Sequence, residues 1–588
     1  MCGIFAGISK DRFIAPPLHL QQLLAQRGPD SAVQHQHSHD CAVDGQNSLE
    51  RTYLTTYGTV LSLRGGGIVP QPHLVASSGS SLCWNGEAWS VAGRTTSGND
   101  TVAVAGLLEK ASKTTGGTLD REEEVFERTK VIAAVFSLIA GPYAFVYHDV
   151  PNSLLFYGRD CLGRRSLLTR RTEEGDFLVC SVSDGTAGKQ WAEVGTDSVY
   201  CLDLLKSSAH TCATKPKPPV VASYKDNTDS NGIFQALTAP LISTVVPNLS
   251  LNSQVSLQNH ALDQESLSVQ QLERHMRNAL FLRIVDIPTP PQPLSTEHSP
   301  QWSRLAILFS GGLDCTVLAR LAHDILPINE KIDLLNVAFE NPRVHKTSEG
   351  NVYELCPDRI TGRTSYHELK AVCPERTWEF AAIDVPYSET LEHRDQIIAL
   401  MHPHNTEMDL SISCALYFAA RGHGFLSPTP ETRVPYTASA RVLLSGLGAD
   451  ELFGGYQRHA TAFGRSGHAG LLDELSLDIG RLGKRNLGRD DRVISHWGRE
   501  ARFPYLDENL LAWALSVRVT EKCGFGEQVS ESDGDDSALL EPGKKVLRCL
   551  AWRLGMKGVA KEKKRAIQFG ARTAKMETGR TKGTTLLS

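Results

Sequence analysis

The sequence predicts two successive domains of different class: an α+β domain built on antiparallel sheets, then an α/β domain built on a parallel sheet. Three observations carry this. Up to about residue 205, short apolar runs alternate with Gly-containing turns, the pattern of antiparallel strands. Beyond about residue 264, continuous apolar runs without alternation recur between helical stretches, as expected for strands buried on both faces of a parallel sheet. Between them, residues 206–263 shift to Ser, Thr, Pro, Asn and Lys and read as a linker. The domains are therefore drawn at 1–205 and 264–588.

In order, Gly3–Ile8, Thr59–Leu63, Tyr143–Tyr147 and Ser153–Tyr157 read as strands, and Leu18–Leu24 and Thr101–Leu108 as helices covering the sheets. The apolar stretch Val131–Val146 is interrupted by Gly141-Pro142, so it reads as helix end, turn and core strand rather than a membrane span. Cys161, Cys180 and Cys201 fall in predicted strands as small core fillers. From Ser266, Leu267, Val269, Leu272, Met276 and Leu280 mark an amphipathic helix, and the Pro-rich stretch Pro288–Pro300 reads as a loop. Leu305–Phe309, Ile332–Val337 and Val442–Leu444 are the parallel strands. Residues 525–541, acidic and Ser-rich, read as a solvated loop before a final helix, and the basic tail Lys557–Lys582 as a terminal helix supplying cations.

Composition narrows the function. Lys plus Arg number 61 against 66 for Asp plus Glu, a net charge of -5 that argues against nucleic-acid or membrane partners. The 13 cysteines contain no C-x-x-C pair, so reduced thiols in a cytoplasmic setting are expected rather than a disulfide framework or structural zinc site. The opening has no basic, apolar leader pattern. His35, His37 and His39 alternate on one strand face, and with nothing downstream to complete a ligand set they read as solvated.

Removal of Met1 would leave Cys2 carrying both a thiol and the chain's α-amine, a nucleophile with its own base. A cysteine at position two is by itself an incidental residue, but five further segments accompany it: Arg27-Gly28-Pro29-Asp30, Leu63-Arg64 with Gln71-Pro72, Trp84-Asn85-Gly86-Glu87, Asn99-Asp100-Thr101 and Gly158–Arg165. Together with Met1–Ile8 they resemble the class II glutamine amidotransferases, a resemblance covering almost all of residues 1–205. It implies a four-layer αββα N-terminal-nucleophile fold in which Cys2 attacks the glutamine amide. It also implies that Asn85 and Gly86 stabilise the oxyanion, that Arg64 holds the substrate α-carboxylate, and that Asp100 and Glu87 face its α-ammonium.

In the second half, Phe309-Ser310-Gly311-Gly312-Leu313-Asp314-Cys315 lies between a buried strand and a helix, where glycines let backbone N–H groups approach phosphate. Gly-Gly alone is often only a tight turn. The segment matches the Ser-Gly-Gly-x-Asp-Ser loop of ATP pyrophosphatases, and Leu444–Tyr456, Glu500–Asp507, Gly543–Arg548 and Lys563–Gly570 resemble the asparagine synthetase family, nearest its divergent domain-containing branch. The resemblance implies ATP and Mg²⁺ as cofactors. Phe309, Ser310, Gly311, Gly312, Asp314, Cys315, Val337, Ser445, Gly446 and Lys564 would bind nucleotide and pyrophosphate, Asp314 reaching Mg²⁺ through ATP. Asp450 and Arg489 would bind aspartate.

The implied activity is ATP- and glutamine-dependent conversion of aspartate to asparagine, with small-molecule substrates and room for a homodimer. One departure bears on it: Leu447 stands where the family carries Glu, understood as the base toward ammonia, and leucine cannot take a proton. Two alternatives stay open, the same two sites acting on another carboxylic acid, or a scaffold protein with a degenerate synthetase half.

Overall fold

A computed structural model describes residues 1–42, 49–113, 120–185, 191–205, 220–223, 249–255, 261–289, 302–344, 350–527, 536–576 and 583–587. The core of the expected linker, most of the Pro-rich loop, the centre of the acidic loop and the end of the basic tail lie outside these residues. The chain forms two compact units. The first comprises Met1–Val246, Ala399–His404 and Leu482–Gly498, and the second comprises Pro247–Ile398, Asn405–Arg481 and Arg499–Ser588.

The first unit holds two six-stranded antiparallel sheets. One runs, in spatial order, Ala192–Glu193, Leu168–Arg171, Phe177–Cys180, Gly3–Ser9, Leu49–Val60, Ser31–Ala42. The other runs Val220–Ser223, Ser198–Asp203, Leu154–Arg159, Tyr143–Asp149, Ser81–Gly86, His73–Leu74. Alternation explains their pairing. Ile4, Ala6, Leu54 and Val179 of the first sheet pack against Cys83, Val146, Leu155 and Tyr157 of the second. The opposite face of the second sheet, with Trp84, Phe145 and Phe156, packs against the helices Asp100–Ser112 and Arg121–Ser137. The helix Leu18–Arg27 covers the first sheet. Helix, sheet, sheet, helix is the layering implied by the amidotransferase resemblance.

Local signals place these helices. Asn99 caps the Asp100–Ser112 helix by accepting from Val102 N–H, and Asp120 caps Arg121–Ser137 by accepting from Glu122 and Glu123 N–H, with acidic residues filling its positive first turn. The apolar stretch beyond this helix breaks at Gly141, whose φ of +143° admits no side chain: a Cβ there would meet Glu87 O. Cys180 and Cys201 are buried strand residues, whereas Cys161 sits in a turn after Arg159. That turn is tied by Asp160, whose carboxylate accepts from the N–H groups of Tyr143, Leu162 and Arg164.

The segment 482–498, which the sequence assigns to the second domain, belongs with the first unit because its charges are buried there. Asp491 accepts from Arg27 at 2.8 Å, and Arg492 donates to Glu193 at 2.8 Å and to Ser166. The solvated reading of the alternating histidines holds for His37, which is exposed, and fails for His39, which is buried against His148 of the other sheet. Burial and His37 push the His39 imidazole down to about 4, and burial with His39 holds His148 well below its usual range.

The second unit is built on a seven-stranded sheet in the order Val434–Thr437, His423–Leu426, Trp378–Val385, Ile332–Phe339, Leu305–Leu308, Val442–Leu444, Glu500–Arg502. Its five strands from Trp378–Val385 to Glu500–Arg502 pair in parallel, and the two at the other edge are antiparallel. From Leu305–Leu308 the chain crosses first to the Ile332 side and only later to the Val442 side. The strand order therefore reverses there, where open α/β sheets form their ligand crevice. The chain's end differs from the sequence expectation. Three helices follow the acidic stretch, Lys545–Arg553, Lys557–Ala560 and Ile567–Gly570. Gly555 takes positive φ just after the first of these helices, and Arg572 and Lys575 do so after the last, which breaks the run before a long terminal helix can form.

Candidate functional site

Cys2 sits at the start of the Gly3–Ser9 strand with its main chain pinned on both sides. Gly3 N–H donates to Thr59 Oγ1 at 3.0 Å and Ile4 N–H to Ser181 Oγ at 3.0 Å, while Arg27 Nε reaches Cys2 O at 3.5 Å. The Cys2 N–H donates to Asn85 Oδ1 at 3.1 Å. Asn85 is fully buried, and its Nδ2 has no hydrogen-bond partner among the described residues. A buried amide donor left open next to a thiol calls for an acceptor from outside, and a developing oxyanion is one. Gly86 follows because the chain permits nothing larger: a Cβ there would lie 2.4 Å from Pro142 O.

The other residues implied for glutamine gather around this pair. Arg64 donates to Glu87 Oε2 at 3.2 Å and to Thr96 O at 2.9 Å, and its guanidinium lies over the Trp89 ring. Asp100, at the head of its helix, accepts from Trp84 Nε1 and Ala88 N–H, which ties it to the end of the Ser81–Gly86 strand that carries Asn85 and Gly86. One residue escapes the sequence reading. Buried Gln71 accepts from Trp84 N–H at 2.7 Å and points its Nε2 at Cys2 Sγ, 3.9 Å away. The Gln71-Pro72 pair is visible in the sequence as part of the motif, but nothing there aims its side chain at the thiol.

In the second unit, the loops that follow two adjacent parallel strands come together. After Leu305–Leu308, Gly311 has φ +78°, and a Cβ on it would meet the Gly362 backbone at 2.5 Å. Ser310 Oγ accepts from Gly312 N–H, Cys315 Sγ lies 3.3 Å from Gly312 O, and Ser365 donates to Gly311 O. Phe309 is held by the next strand, its N–H on Leu335 O and its carbonyl on Asn336 Nδ2. Val337 lies half-buried one position further along that strand. After Val442–Leu444, Ser445 Oγ accepts from Leu447 N–H, and Gly446 passes so near Asp314 that a Cβ would lie 2.8 Å from it.

The charges here form a chain of alternating sign. Lys544 Nζ bonds both Asp314 oxygens, at 2.8 and 2.7 Å, and lies 2.6 Å from Asp450, which also pairs with Lys564. Burial opposes the Asp450 charge, but the two lysines outweigh it and hold the carboxyl well below its usual range. The neighbouring Glu451 is pushed up by burial and by Asp450, and accepts from Tyr456 OH at 2.6 Å. Lys544 is the second residue that sequence reasoning missed. It stands in the Gly543–Arg548 segment with no role attached to it by the sequence, yet it is buried with φ +56°, a conformation costly outside glycine. Arg489 belongs to the first unit, where it is buried with its donors on Asp490.

The sequence profile of the asparagine synthase family matches residues 426–473 and 465–582. Asparagine synthetase domain-containing protein 1 of Gallus gallus is 31% identical to this chain over 99% of it and 98% of the relative. The chain belongs to this asparagine synthetase domain-containing family. The Homo sapiens family member is 32% identical over 98% of the chain and 96% of its own length. Asparagine synthetase B [glutamine-hydrolyzing] of Escherichia coli (strain K12) is 35% identical over a shorter stretch, 15% of each chain. Among the described residues no helix is long and apolar enough to cross a membrane.

Proposed function

We propose that the chain is an ATP- and glutamine-dependent amidotransferase that converts aspartate to asparagine. The observation that carries this reading is the open, buried Asn85 Nδ2 beside Cys2. With Met1 removed, the Cys2 amine takes the thiol proton and the sulfur attacks the glutamine amide carbon, the oxyanion meeting Asn85 Nδ2 and Gly86 N–H. The C–N bond breaks, ammonia leaves with the proton, and water hydrolyses the thioester to glutamate. Arg64 and Glu87 offer the opposite charges that a glutamine α-carboxylate and α-ammonium need.

In the second unit, the Gly311–Gly312 loop and the head of the Leu313–Ile325 helix suit a pyrophosphate group. The aspartate side-chain carboxylate attacks the α-phosphorus, pyrophosphate departs, and ammonia then displaces AMP. Asp450 is the proposed contact for the aspartate ammonium. Asp314 presents hard carboxylate oxygens, drawn to a cation in Lys544, a donor that fits Mg²⁺ carried by ATP. Bound with ATP, the ion would neutralise phosphate charge. Lys544 and Lys564 supply fixed positive charge for the departing pyrophosphate. The free thiols of the described cysteines support a reducing, cytoplasmic setting.

A second reading is favoured by the loop around Leu447. That position offers no carboxylate, and its neighbours Asp450 and Glu451 are committed to lysines and Tyr456. On this reading glutamine hydrolysis persists while the synthetase half acts on another acid or serves as a scaffold. Pyrophosphate release by the purified protein with Mg-ATP and glutamine, with and without aspartate, decides between them. Aspartate-dependent release with asparagine detected by mass supports the first reading. Absence of aspartate-dependent turnover in folded, Met1-free protein overturns it.

A further inference from the structure

Three histidines of the first unit converge at the end of its sheets remote from Cys2. His37 and His39 share one face of the Ser31–Ala42 strand, and His148 comes from Tyr143–Asp149 of the opposite sheet. Their ligand nitrogens all lie within 4.8 Å of one another. His39 Nε2 is 2.9 Å from His148 Nε2, and the ring centroids are 4.7 to 5.1 Å apart in every pairing. His39 and His148 are buried at 6% and 4% exposure, and His37 stands at the solvent edge.

We propose that His37, His39 and His148 form a binding site for a divalent transition metal of the zinc class, clipping the edge strand of one sheet to the interior of the other. Imidazole nitrogen is the ligand such ions favour. Tetrahedral zinc with Zn–N bonds near 2.0–2.1 Å needs ligand nitrogens about 3.3 Å apart. The buried pair is within a few tenths of an ångström of that spacing, and exposed His37 has the rotamer freedom to close the remaining gap. His39 carries the outer support typical of such ligands: its Nδ1 bonds Ser153 Oγ at 3.0 Å, which fixes the ring and leaves Nε2 aimed at the shared centre. Three imidazoles leave a fourth position at the His37 side open to water or an exogenous ligand.

The site is separate from the glutamine chemistry. On the Leu49–Val60 strand, Thr59 pairs with Gly3 beside the nucleophile and Thr52 pairs with His39. Those seven positions of extended chain amount to about 23 Å. The sequence shows only two of the three ligands together, because His148 lies 109 residues from His39.

The test uses the full-length protein, stripped by chelator and titrated with Co²⁺, whose visible d–d absorption reports tetrahedral coordination, and then with Zn²⁺ in competition. Wild type is expected to bind one Co²⁺ with tetrahedral absorption that Zn²⁺ abolishes, and to gain thermal stability with Zn²⁺. His37→Gln changes an exposed side chain and should keep the fold, checked by circular dichroism, yet lose this absorption and the zinc-dependent shift. His148→Gln should behave likewise. Wild type without tetrahedral absorption, or absorption undiminished in folded His37→Gln, overturns the proposal and leaves His39 and His148 as a hydrogen-bonded pair between sheets.

Discussion

The Cys2 N–H and the Asn85 side chain meet at 3.1 Å across 83 residues of sequence, and the contact uses only the oxygen end of the amide. The nitrogen end stays buried and open. Asn85→Asp keeps an acceptor for the Cys2 N–H and removes the donor. Glutamine hydrolysis should fall by about 10²–10³ in kcat, the usual cost of one oxyanion donor, with a smaller change in KM. Alkylation of Cys2 by iodoacetamide should persist, showing that the thiol is in place. Hydrolysis within tenfold of wild type would remove Asn85 from the oxyanion role.

The two adjacent glycines of the phosphate-type loop separate conformational from spatial need. Gly311 has positive φ and touches the Gly362 backbone, whereas a Cβ on Gly312 meets only Ser310 Oγ at 3.4 Å. Gly311→Ala should lower the thermal midpoint of the second unit and abolish protection by Mg-ATP. Gly312→Ala should retain the fold and most of the protection. Equal behaviour of the two variants in a thermal-shift assay would contradict the geometry.

Lys544 bridges Asp314 and Asp450, and its side chain is almost wholly enclosed. Replacing it by methionine leaves two carboxylates facing each other with only Lys564 on Asp450. Breaking such a pair costs about 3–5 kcal/mol. Lys544→Met should therefore show a lowered urea midpoint that recovers in part as carboxylates protonate on acidification. Lys544→Gly relieves the positive φ but not the charge, so it should rescue little. A stability equal to wild type in Lys544→Met would show that the bridge is dispensable.

Glu193 gives a pH signature in the first unit. Burial opposes its charge, but Arg492 and Arg159 win and hold it down to about 2. A carboxylate whose folded value lies below its unfolded value near 4.5 contributes stability above about pH 4.5, and that contribution is lost as pH falls toward 2. Urea midpoints measured at stepped pH should fall over this window in wild type. Glu193→Gln should start lower at neutral pH, since it leaves buried Arg492 short of a counter-charge, and should fall less steeply with acid.

Much of this architecture is legible in the chain. Short apolar runs bounded by Gly-containing turns locate the strands around Phe5 and Val146, and an unbroken run between helical stretches locates Leu305–Leu308, because burial writes itself into local sequence. Asn85 and Gly311 are legible through their motifs. What stays hidden depends on contacts between distant residues. Asp491 belongs with Arg27, 464 positions away, so the Leu482–Gly498 segment cannot be placed by local composition. Lys544 differs from its basic neighbours only by where folding puts it, and the His39–His148 contact exists only once two sheets are stacked.

Leu447 provides the sharpest test of the synthetase half. It lies half-buried in the loop between Val442–Leu444 and the helix Ala449–Phe453, its N–H on Ser445 Oγ, followed by Gly448 at φ +104°. The backbone bond and the glycine set the loop's shape, and neither depends on the side chain at 447, so glutamate can be accommodated there. If the chain makes an amide but lacks a base toward ammonia, Leu447→Glu should raise the aspartate- and ammonia-dependent rate by about 10²-fold or more, the range a general base contributes. Glutamine hydrolysis by Cys2 should be unaffected, since the substitution lies in the other unit. An unchanged, measurable asparagine rate would mean that another group already takes the proton. No asparagine from either protein, with glutamine hydrolysis intact in both, would mean that the second half has an acceptor other than aspartate or no catalytic role.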